Sequence, residues 1–191
     1  RVNYNLNFLS FRIYSPSIMN KIFLAKILLN SKENLIFTNG NMYSLVDQFF
    51  PKVKSFSNFL CLRPLEIKIV ESDLKNKLPS ELKFLDLIED QHIFATGCTY
   101  QWSSEQLEST KDNDVYKMLY LSERSMFFYK GNILNLAKNF ESIGIRKDAQ
   151  ITIPEAELVA VFNNLGEIIG YTIGNDVTAL DLEKQNPMYQ A

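Results

Sequence analysis

The sequence predicts an α+β fold that consists mostly of β-strands, and two observations support this prediction. Residues 158–162 and 168–173 are apolar runs rich in β-branched residues, and the turn-forming residues between them complete the pattern of a β-hairpin. The amino-terminal half holds further short strand candidates around turn signals such as Asn39-Gly40. These candidates are residues 22–29, 34–37, 42–46 and 65–70, with short helices predicted at 44–50 and 72–77. Farther along the chain, we predict a strand at 92–96 and helices at 115–121 and 178–185.

The composition is that of an ordinary globular enzyme or binding protein. The 191 residues are 46% hydrophobic and 22% charged, and the formal net charge is −2. A nearly neutral chain without a Lys/Arg cluster predicts no nucleic-acid partner and no anionic membrane partner. Two cysteines, Cys61 and Cys98, are too few for a disulfide framework, so we predict a cytoplasmic protein.

Three carboxylates are predicted to meet at the open end of the hairpin. Glu155 and Glu157 precede the first strand and point to one face, with Cα atoms about 7 Å apart, because strand side chains alternate. Folding at the turn brings Asp176 to the same end. Carboxylates this close repel one another unless they are protonated or share a cation, and all-oxygen ligands suit Mg²⁺, Mn²⁺ or Ca²⁺ better than zinc. The alternative is that Glu155 and Glu157 form the solvated face of an edge strand.

Several motifs together resemble the fumarylacetoacetate hydrolase superfamily. PEAELV, a hairpin, GYTIGNDVTALD and NPMY are similar to its metal-binding pattern PE-x-E, hairpin, GYT-x-x-ND-x-(S/T)-x-RD and NP-x-Y. FATGCTY, at 94–100, is similar to its substrate-loop motif, and SERSMFFYKG, at 122–131, to its ERPE-x-FFKA. Within the superfamily the chain most resembles the sugar-acid branch, which contains the 2-keto-3-deoxy-arabinonate dehydratases.

The resemblance implies a fold and a domain organisation. It implies an incomplete fumarylacetoacetate-hydrolase-type β-roll preceded by a small α+β amino-terminal domain. We therefore expect an unassigned tail at 1–18, the small domain at 19–78 and a partial catalytic metal-binding domain at 79–191. Family members continue beyond NP-x-Y, so the chain is expected to be truncated there, and the family implies homo-oligomers at full length.

The resemblance also implies the site and its chemistry. Glu155, Glu157 and Asp176 are expected to bind Mg²⁺ or Mn²⁺. The expected substrate residues are Gly97, Thr99, Tyr100 and Lys130, with Lys130 also catalytic. Gly97 is expected to adopt a positive φ that exposes backbone N–H groups to a substrate carboxylate. The implied reaction is the dehydration of a 2-keto-3-deoxy sugar acid, a 2-oxo acid, through a metal-stabilised enolate.

Departures from the family pattern leave alternatives open. Ser125-Met126 replaces a Pro-Glu pair and Leu180 replaces an arginine, so two charges expected near the site are missing. The only histidine, His92, precedes the loop and is interpreted as structural, whereas the hydrolase branch places a histidine after the loop tyrosine. The alternatives are a C–C hydrolase or decarboxylase of a 2-oxo acid, or a catalytically inactive truncated remnant.

Overall fold

The computed structural model describes residues 10–13, 21–102, 104, 114–137 and 141–186. Within these residues the chain forms two compact units. The first unit draws on Arg1–Glu89 and Ala137–Ala191, and the second on Asp90–Leu136. The carboxyl-terminal hairpin and the amino-terminal strands belong to the same unit because they share one sheet.

Eight strands of the described residues form one antiparallel sheet in the first unit. The strands are β1 (Ser10–Ile13), β2 (Phe23–Leu29), β3 (Lys32–Thr38), β4 (Met42–Leu45), β5 (Asn76–Lys77), β6 (Lys83–Leu85), β9 (Thr152–Phe162) and β10 (Ile168–Ala179). Their order across the sheet is β5-β4-β3-β2-β1-β10-β9, and β6 also pairs with β2. The mostly-β α+β class predicted from the sequence is therefore confirmed.

Strand β2 is the centre of this arrangement. Its whole length pairs with β3 on one side, while β1 and β6 share the other side, with Arg12 opposite Phe23 and Lys26 opposite Leu85. Strand β1 then pairs with β10, with Ile13 opposite Gly170. Residues 10–13 of the unassigned tail thus supply the strand that joins the two parts of the sheet.

Apolar side chains cover both faces of the sheet in the amino-terminal half. Leu24 and Phe37, an opposed pair on β2 and β3, belong to the larger cluster together with Ile169 of β10. The Phe37 ring makes edge contacts with Phe49, Phe50 and Phe59 at centroid distances of 5.8, 6.2 and 6.1 Å. The smaller cluster, Ala25, Ile27 and Ile36, lies on the opposite face, as strand alternation requires.

The segments between the strands are shorter and more irregular than predicted. Helix α1 (Phe56–Phe59) begins at Ser55, whose hydroxyl accepts a hydrogen bond from the Asn58 N–H at 3.1 Å. The predicted helix at 44–50 is a single 3₁₀ turn, Val46–Gln48, and that at 72–77 is replaced by a 3₁₀ turn, Glu71–Asp73, followed by β5.

The strand predicted at 65–70 is wrong. Pro64–Glu66 form a 3₁₀ turn, because Pro64 fixes its own φ and the Glu66 carboxylate accepts a hydrogen bond from the Arg63 N–H at 2.6 Å. The Asp73 carboxylate likewise accepts from the Val70 N–H at 2.9 Å. Side-chain capping of the backbone outweighs the alternating pattern here.

The second unit contains a two-stranded antiparallel ribbon and a helix. Strand β7 (Ile93–Thr96) pairs with β8 (Phe127–Gly131), and helix α2 (Asp114–Leu121) lies between them in sequence. The predicted strand at 92–96 and helix at 115–121 are confirmed. No helix in the described ranges is long and apolar enough to cross a membrane.

Candidate metal centre and substrate loop

The predicted hairpin is present and longer than the sequence indicated. Strands β9 and β10 pair in register from Ile168↔Phe162 to Ala179↔Thr152, with one irregularity between Ile168 and Gly170. Asn163 fixes the turn, because its Oδ1 accepts from the N–H groups of Leu165 at 3.0 Å and Glu167 at 2.8 Å. Gly166 has φ +77°, a conformation that disfavours any residue with a Cβ.

The register places the three carboxylates on one face of the hairpin. Asp176 lies directly opposite Glu155, and Glu157 lies opposite Gly174, two residues along β9 from Glu155. Opposed residues in an antiparallel pair share a face, so all three side chains point the same way. The residues Glu155, Glu157 and Asp176 are half-buried, whereas Ala156, on the opposite face, is exposed.

Glu155 is held from β10 at both its backbone and its side chain. The hydroxyl of Thr178 donates a hydrogen bond to Glu155 Oε2 at 3.0 Å, and the Glu155 N–H donates to Asn175 Oδ1 at 3.0 Å. Thr178 is 5% exposed. Both partners lie in the GYTIGNDVTALD motif but were not predicted as site residues. For Thr178 the spacing was the signal, since it is two residues beyond Asp176 and therefore on the carboxylate face.

Gly174 is required by close packing on this face. A Cβ at this position would lie 2.9 Å from Cγ2 of Val159, which belongs to the same face. Oδ1 of Asp176 is buried. The donor chemistry and the shared face therefore fit a hard divalent cation. Within the described ranges, however, no three His, Cys, Asp or Glu side chains are placed so that they could hold a metal ion.

Asp181 forms hydrogen bonds with the backbone at the open end of the hairpin. It lies in the first turn of helix α3 (Leu180–Gln185), where the predicted helix at 178–185 starts two residues late because Thr178 and Ala179 remain in β10. Its carboxylate accepts from the N–H groups of Gln150 and Ile151, each at 3.0 Å. These two hydrogen bonds hold the pKa of the Asp181 carboxyl below its usual value.

The predicted substrate loop follows β7 in the second unit, and its glycine does not have the backbone conformation that was predicted. The positive φ falls on Cys98, at 37°, rather than on Gly97. The Gly97 N–H is also engaged, since it donates to the Met126 carbonyl at 3.1 Å. Gly97 is instead required by packing, because a Cβ there would lie 2.8 Å from Cε of Met126 and 3.3 Å from Cδ1 of Leu119. Thr99 and Tyr100 are exposed.

Lys130 lies on the partner strand but away from the loop. Thr96, the last residue before the loop, pairs with Phe127, and Lys130 is three residues farther along β8, roughly 10 Å at the usual rise per residue. Lys130 is half-buried. The ribbon therefore places the loop and Lys130 at opposite ends.

Two of the three aromatic residues before Lys130 are exposed. Phe127 and Tyr129 are 68% and 51% exposed, and Phe94, opposite Tyr129, is 60% exposed. Tyr129 contacts the rings of Phe94 and His92 at centroid distances of 5.9 and 5.7 Å. Alternation puts Phe127 and Tyr129 on one face of a two-stranded ribbon, and within the second unit's described residues no further strand covers it.

The comparisons with known proteins point to one class of enzyme. No family model matches the sequence. Over 124 residues, 62% of the chain, it is 31% identical to 2-dehydro-3-deoxy-D-arabinonate dehydratase of Saccharolobus solfataricus. Over 103 residues it is 36% identical to a probable 2-keto-3-deoxyxylonate dehydratase of Haloferax volcanii. Both relatives are sugar-acid dehydratases. The matches cover 42% and 35% of these relatives, so the chain spans less than half of either.

Solved structures of a dehydratase share the fold. A 2-keto-3-deoxy-D-arabinonate dehydratase complexed with magnesium and 2,5-dioxopentanoate superposes with a TM-score of 0.64 at 23% identity. The superposition covers 87% of this chain and 59% of that one. The apo form of the enzyme gives a TM-score of 0.64 at 22% identity, with the same coverage. The chain thus has the fold of the corresponding part of this dehydratase.

Proposed function

We propose that the chain carries the metal centre of a Mg²⁺-dependent dehydratase that acts on a 2-keto-3-deoxy sugar acid, within the fumarylacetoacetate hydrolase superfamily. One observation supports this most directly. Glu155 and Asp176 are opposed across the hairpin and Glu157 shares their face, in a chain whose relatives are sugar-acid dehydratases.

In this proposal the three carboxylates hold the ion. Three anionic oxygen donors match the preference of Mg²⁺ for carboxylate ligands. A bound Mg²⁺ supplies a Lewis acid for the 2-oxo group of the substrate. Mn²⁺ has the same ligand preferences and is an alternative ion.

Considered by itself, the second unit carries side chains that suit a sugar-acid substrate. Thr99 and Tyr100 are exposed, so their hydroxyls are accessible to the hydroxyl groups of a sugar acid. Lys130 supplies a positive charge for the substrate carboxylate, and its ammonium can also donate a proton to a departing hydroxyl. Gly97, Thr99 and Tyr100 in the loop and Lys130 at the other end of the ribbon stay the proposed substrate residues, and the hairpin carboxylates stay the proposed metal ligands.

The test measures the dehydration of 2-keto-3-deoxy-arabinonate by the full-length protein. NMR monitors the reaction in the presence of Mg²⁺ and again after treatment with a chelator. We expect turnover with Mg²⁺, loss with chelator, and a decrease in kcat/KM of at least about 1,000-fold in Glu157→Ala, the order expected when a metal site with several kcal/mol of charge stabilisation is disrupted.

Glu33→Ala is the matched control, because Glu33 is an exposed strand glutamate of the same sheet. It should retain wild-type turnover. Retained activity in Glu157→Ala would refute the assignment of the metal site. Metal binding without turnover would favour the inactive alternative, and release of CO₂ or of a C–C cleavage product would favour the decarboxylase or the hydrolase.

A further inference from the structure

We infer that Thr178 is a positioning residue for Glu155: its hydroxyl holds one carboxylate oxygen and thereby orients the other oxygen for the cation. The inference rests on the proposed function, since it concerns the same metal centre. It assigns a role to a residue that is not itself a proposed ligand.

The contact has the geometry of a directed hydrogen bond. Thr178 Oγ1 lies 3.0 Å from Glu155 Oε2. Thr178 is opposite Ile153, and Glu155 is opposite Asp176, so the two side chains are diagonal neighbours on one face. An ionised carboxylate can only accept, so the hydroxyl is the donor.

Thr178 is well suited to be the fixed partner. It is 5% exposed, and its β-branched side chain has few rotamers available in a strand. Glu155 has a longer side chain with three rotatable bonds, which would otherwise lose that freedom when the ion binds. A hydrogen bond to a rigid donor orders the carboxylate beforehand, which reduces the entropic cost of binding.

The hydrogen bond between Asn175 and the Glu155 backbone also helps to fix the position of Glu155. Asn175 Oδ1 accepts from the Glu155 N–H at 3.0 Å, so β10 fixes both the backbone and the carboxylate of this one residue. A carboxylate has two oxygens with about four acceptor positions, and the bond from Thr178 uses one of them on Oε2. Glu157 is opposite Gly174, which has no side chain to offer a comparable contact. Orientation of ligands by such outer contacts typically changes metal affinity by about 10–100-fold.

The experiment measures Mn²⁺ binding to the full-length protein by electron paramagnetic resonance, in the absence of substrate. We expect Thr178→Val, which removes the hydroxyl at nearly constant volume, to raise the Kd by about 10–100-fold. Thr178→Ser keeps the hydroxyl and should bind within about threefold of wild type. Thr178→Ala provides a second variant without the hydroxyl if the valine variant does not fold.

Thr38→Val is the matched control for loss of a buried threonine hydroxyl. Thr38 is 4% exposed, and its Oγ1 donates to the Met42 carbonyl at 2.8 Å, far along the sheet from β9. This variant should unfold at a lower temperature, as Thr178→Val should, but it should leave the Kd for Mn²⁺ unchanged. The control separates orientation of Glu155 from general stability.

The results distinguish the inference from the proposed function. Wild-type affinity in Thr178→Val or Thr178→Ala would overturn the inference while the metal site stands. An equal loss of affinity in Thr38→Val would also overturn it, because stability alone would then explain the effect. Absence of Mn²⁺ binding in the wild-type protein would overturn the proposed metal site and the inference with it.

Discussion

The ammonium nitrogen of Lys26 lies 2.8 Å from Oε1 of Glu89, across 63 residues of sequence. Lys26 is on the same face of β2 as Leu24, so it points into the larger apolar cluster and its side chain is only 9% exposed. Glu89 also accepts from the N–H groups of Phe56 at 3.3 Å and Ser57 at 3.2 Å. The carboxylate thus compensates a buried charge and links β2 to the start of α1.

We predict that Glu89→Gln lowers the free energy of unfolding by about 1–3 kcal/mol. The substitution leaves the Lys26 ammonium in an apolar setting without its counter-charge, and loss of a charged hydrogen-bond partner has a cost of this order. The lower part of the range applies because the Glu89 side chain is 28% exposed and water screens it. Urea unfolding at neutral pH measures the effect.

The same residue should make stability depend on pH. Burial alone would raise the pKa of Glu89, but hydrogen bonds from Lys26 and from the backbone of Ser57 and Phe56 outweigh it and hold the pKa below 4.5. The folded state therefore binds its proton less readily than the unfolded state, so this stabilisation is complete above pH 4.5 and is lost as the pH falls through the lower folded value. The difference in unfolding free energy between wild type and Glu89→Gln should shrink over that interval.

The control for both measurements is Asp47→Asn. Asp47 pairs with Lys54 at 3.2 Å, but the two side chains are 45% and 64% exposed. A solvent-exposed ion pair contributes less than about 1 kcal/mol, so this variant should remain close to wild type. An effect as large as that of Glu89→Gln would show that burial of Lys26 is not the cause.

Asn163 should be the most sensitive residue of the hairpin turn. It is 6% exposed, and besides the two hydrogen bonds that its Oδ1 accepts, its Nδ2 donates to the Leu62 carbonyl at 3.0 Å and to Glu167 Oε2 at 2.8 Å. We predict that Asn163→Ala lowers the free energy of unfolding by about 2–4 kcal/mol, since several bonds of about 1 kcal/mol each are lost together.

Asn164→Ala is the control, because it removes the side chain of the neighbouring asparagine in the same turn. Asn164 is exposed, and its backbone N–H, which donates to the Leu60 carbonyl at 2.9 Å, is retained in alanine. Chemical denaturation should show a loss of less than about 1 kcal/mol, as for most surface substitutions. Equal losses in the two variants would contradict the role given to the Asn163 amide.

The hairpin and its carboxylate face could be predicted from the sequence because both depend on local rules. A turn-rich segment between two β-branched runs defines the hairpin, and the period of two along a strand puts Glu155 and Glu157 on one face. Folding at the turn then brings Asp176 to the same end of the hairpin. The structure agrees with each of these expectations.

Long-range relationships could not be predicted in this way. Strand β1 has only four residues, too few for a period, and its pairing with β10 depends on segments more than 150 residues apart. The Lys26–Glu89 pair depends on the three-dimensional position of α1. The positive φ at Cys98 rather than at Gly97 also escaped prediction, because glycine permits that conformation without requiring it.

Asp181 offers a test of how the start of β9 is held. Its two carboxylate oxygens each accept one backbone N–H, from Gln150 and Ile151, and the Leu180 N–H donates to the Ile151 carbonyl at 2.9 Å. We predict that Asp181→Ala accelerates amide hydrogen exchange several-fold at Gln150 and Ile151, while Val159 in the middle of β9 is unaffected. Asp181→Asn should be intermediate, because a neutral amide oxygen is a weaker acceptor than a carboxylate.

The protection of these two amides from hydrogen exchange should also depend on pH in a predictable direction. The N–H groups of Gln150 and then Ile151 hold the pKa of Asp181 below 3.8, so the ionised carboxylate makes the stronger bonds. The protection of the Gln150 and Ile151 N–H groups from exchange should therefore be complete above pH 3.8. It should decline as the pH falls through the lower pKa that Asp181 has in the folded state. Asp148→Ala is the control: this carboxylate also has a lowered pKa, but its partner is the Arg146 guanidinium at 2.8 Å. If Asp148→Ala accelerated exchange at Gln150 and Ile151 as much as Asp181→Ala, nearby negative charge rather than the two hydrogen bonds would be responsible.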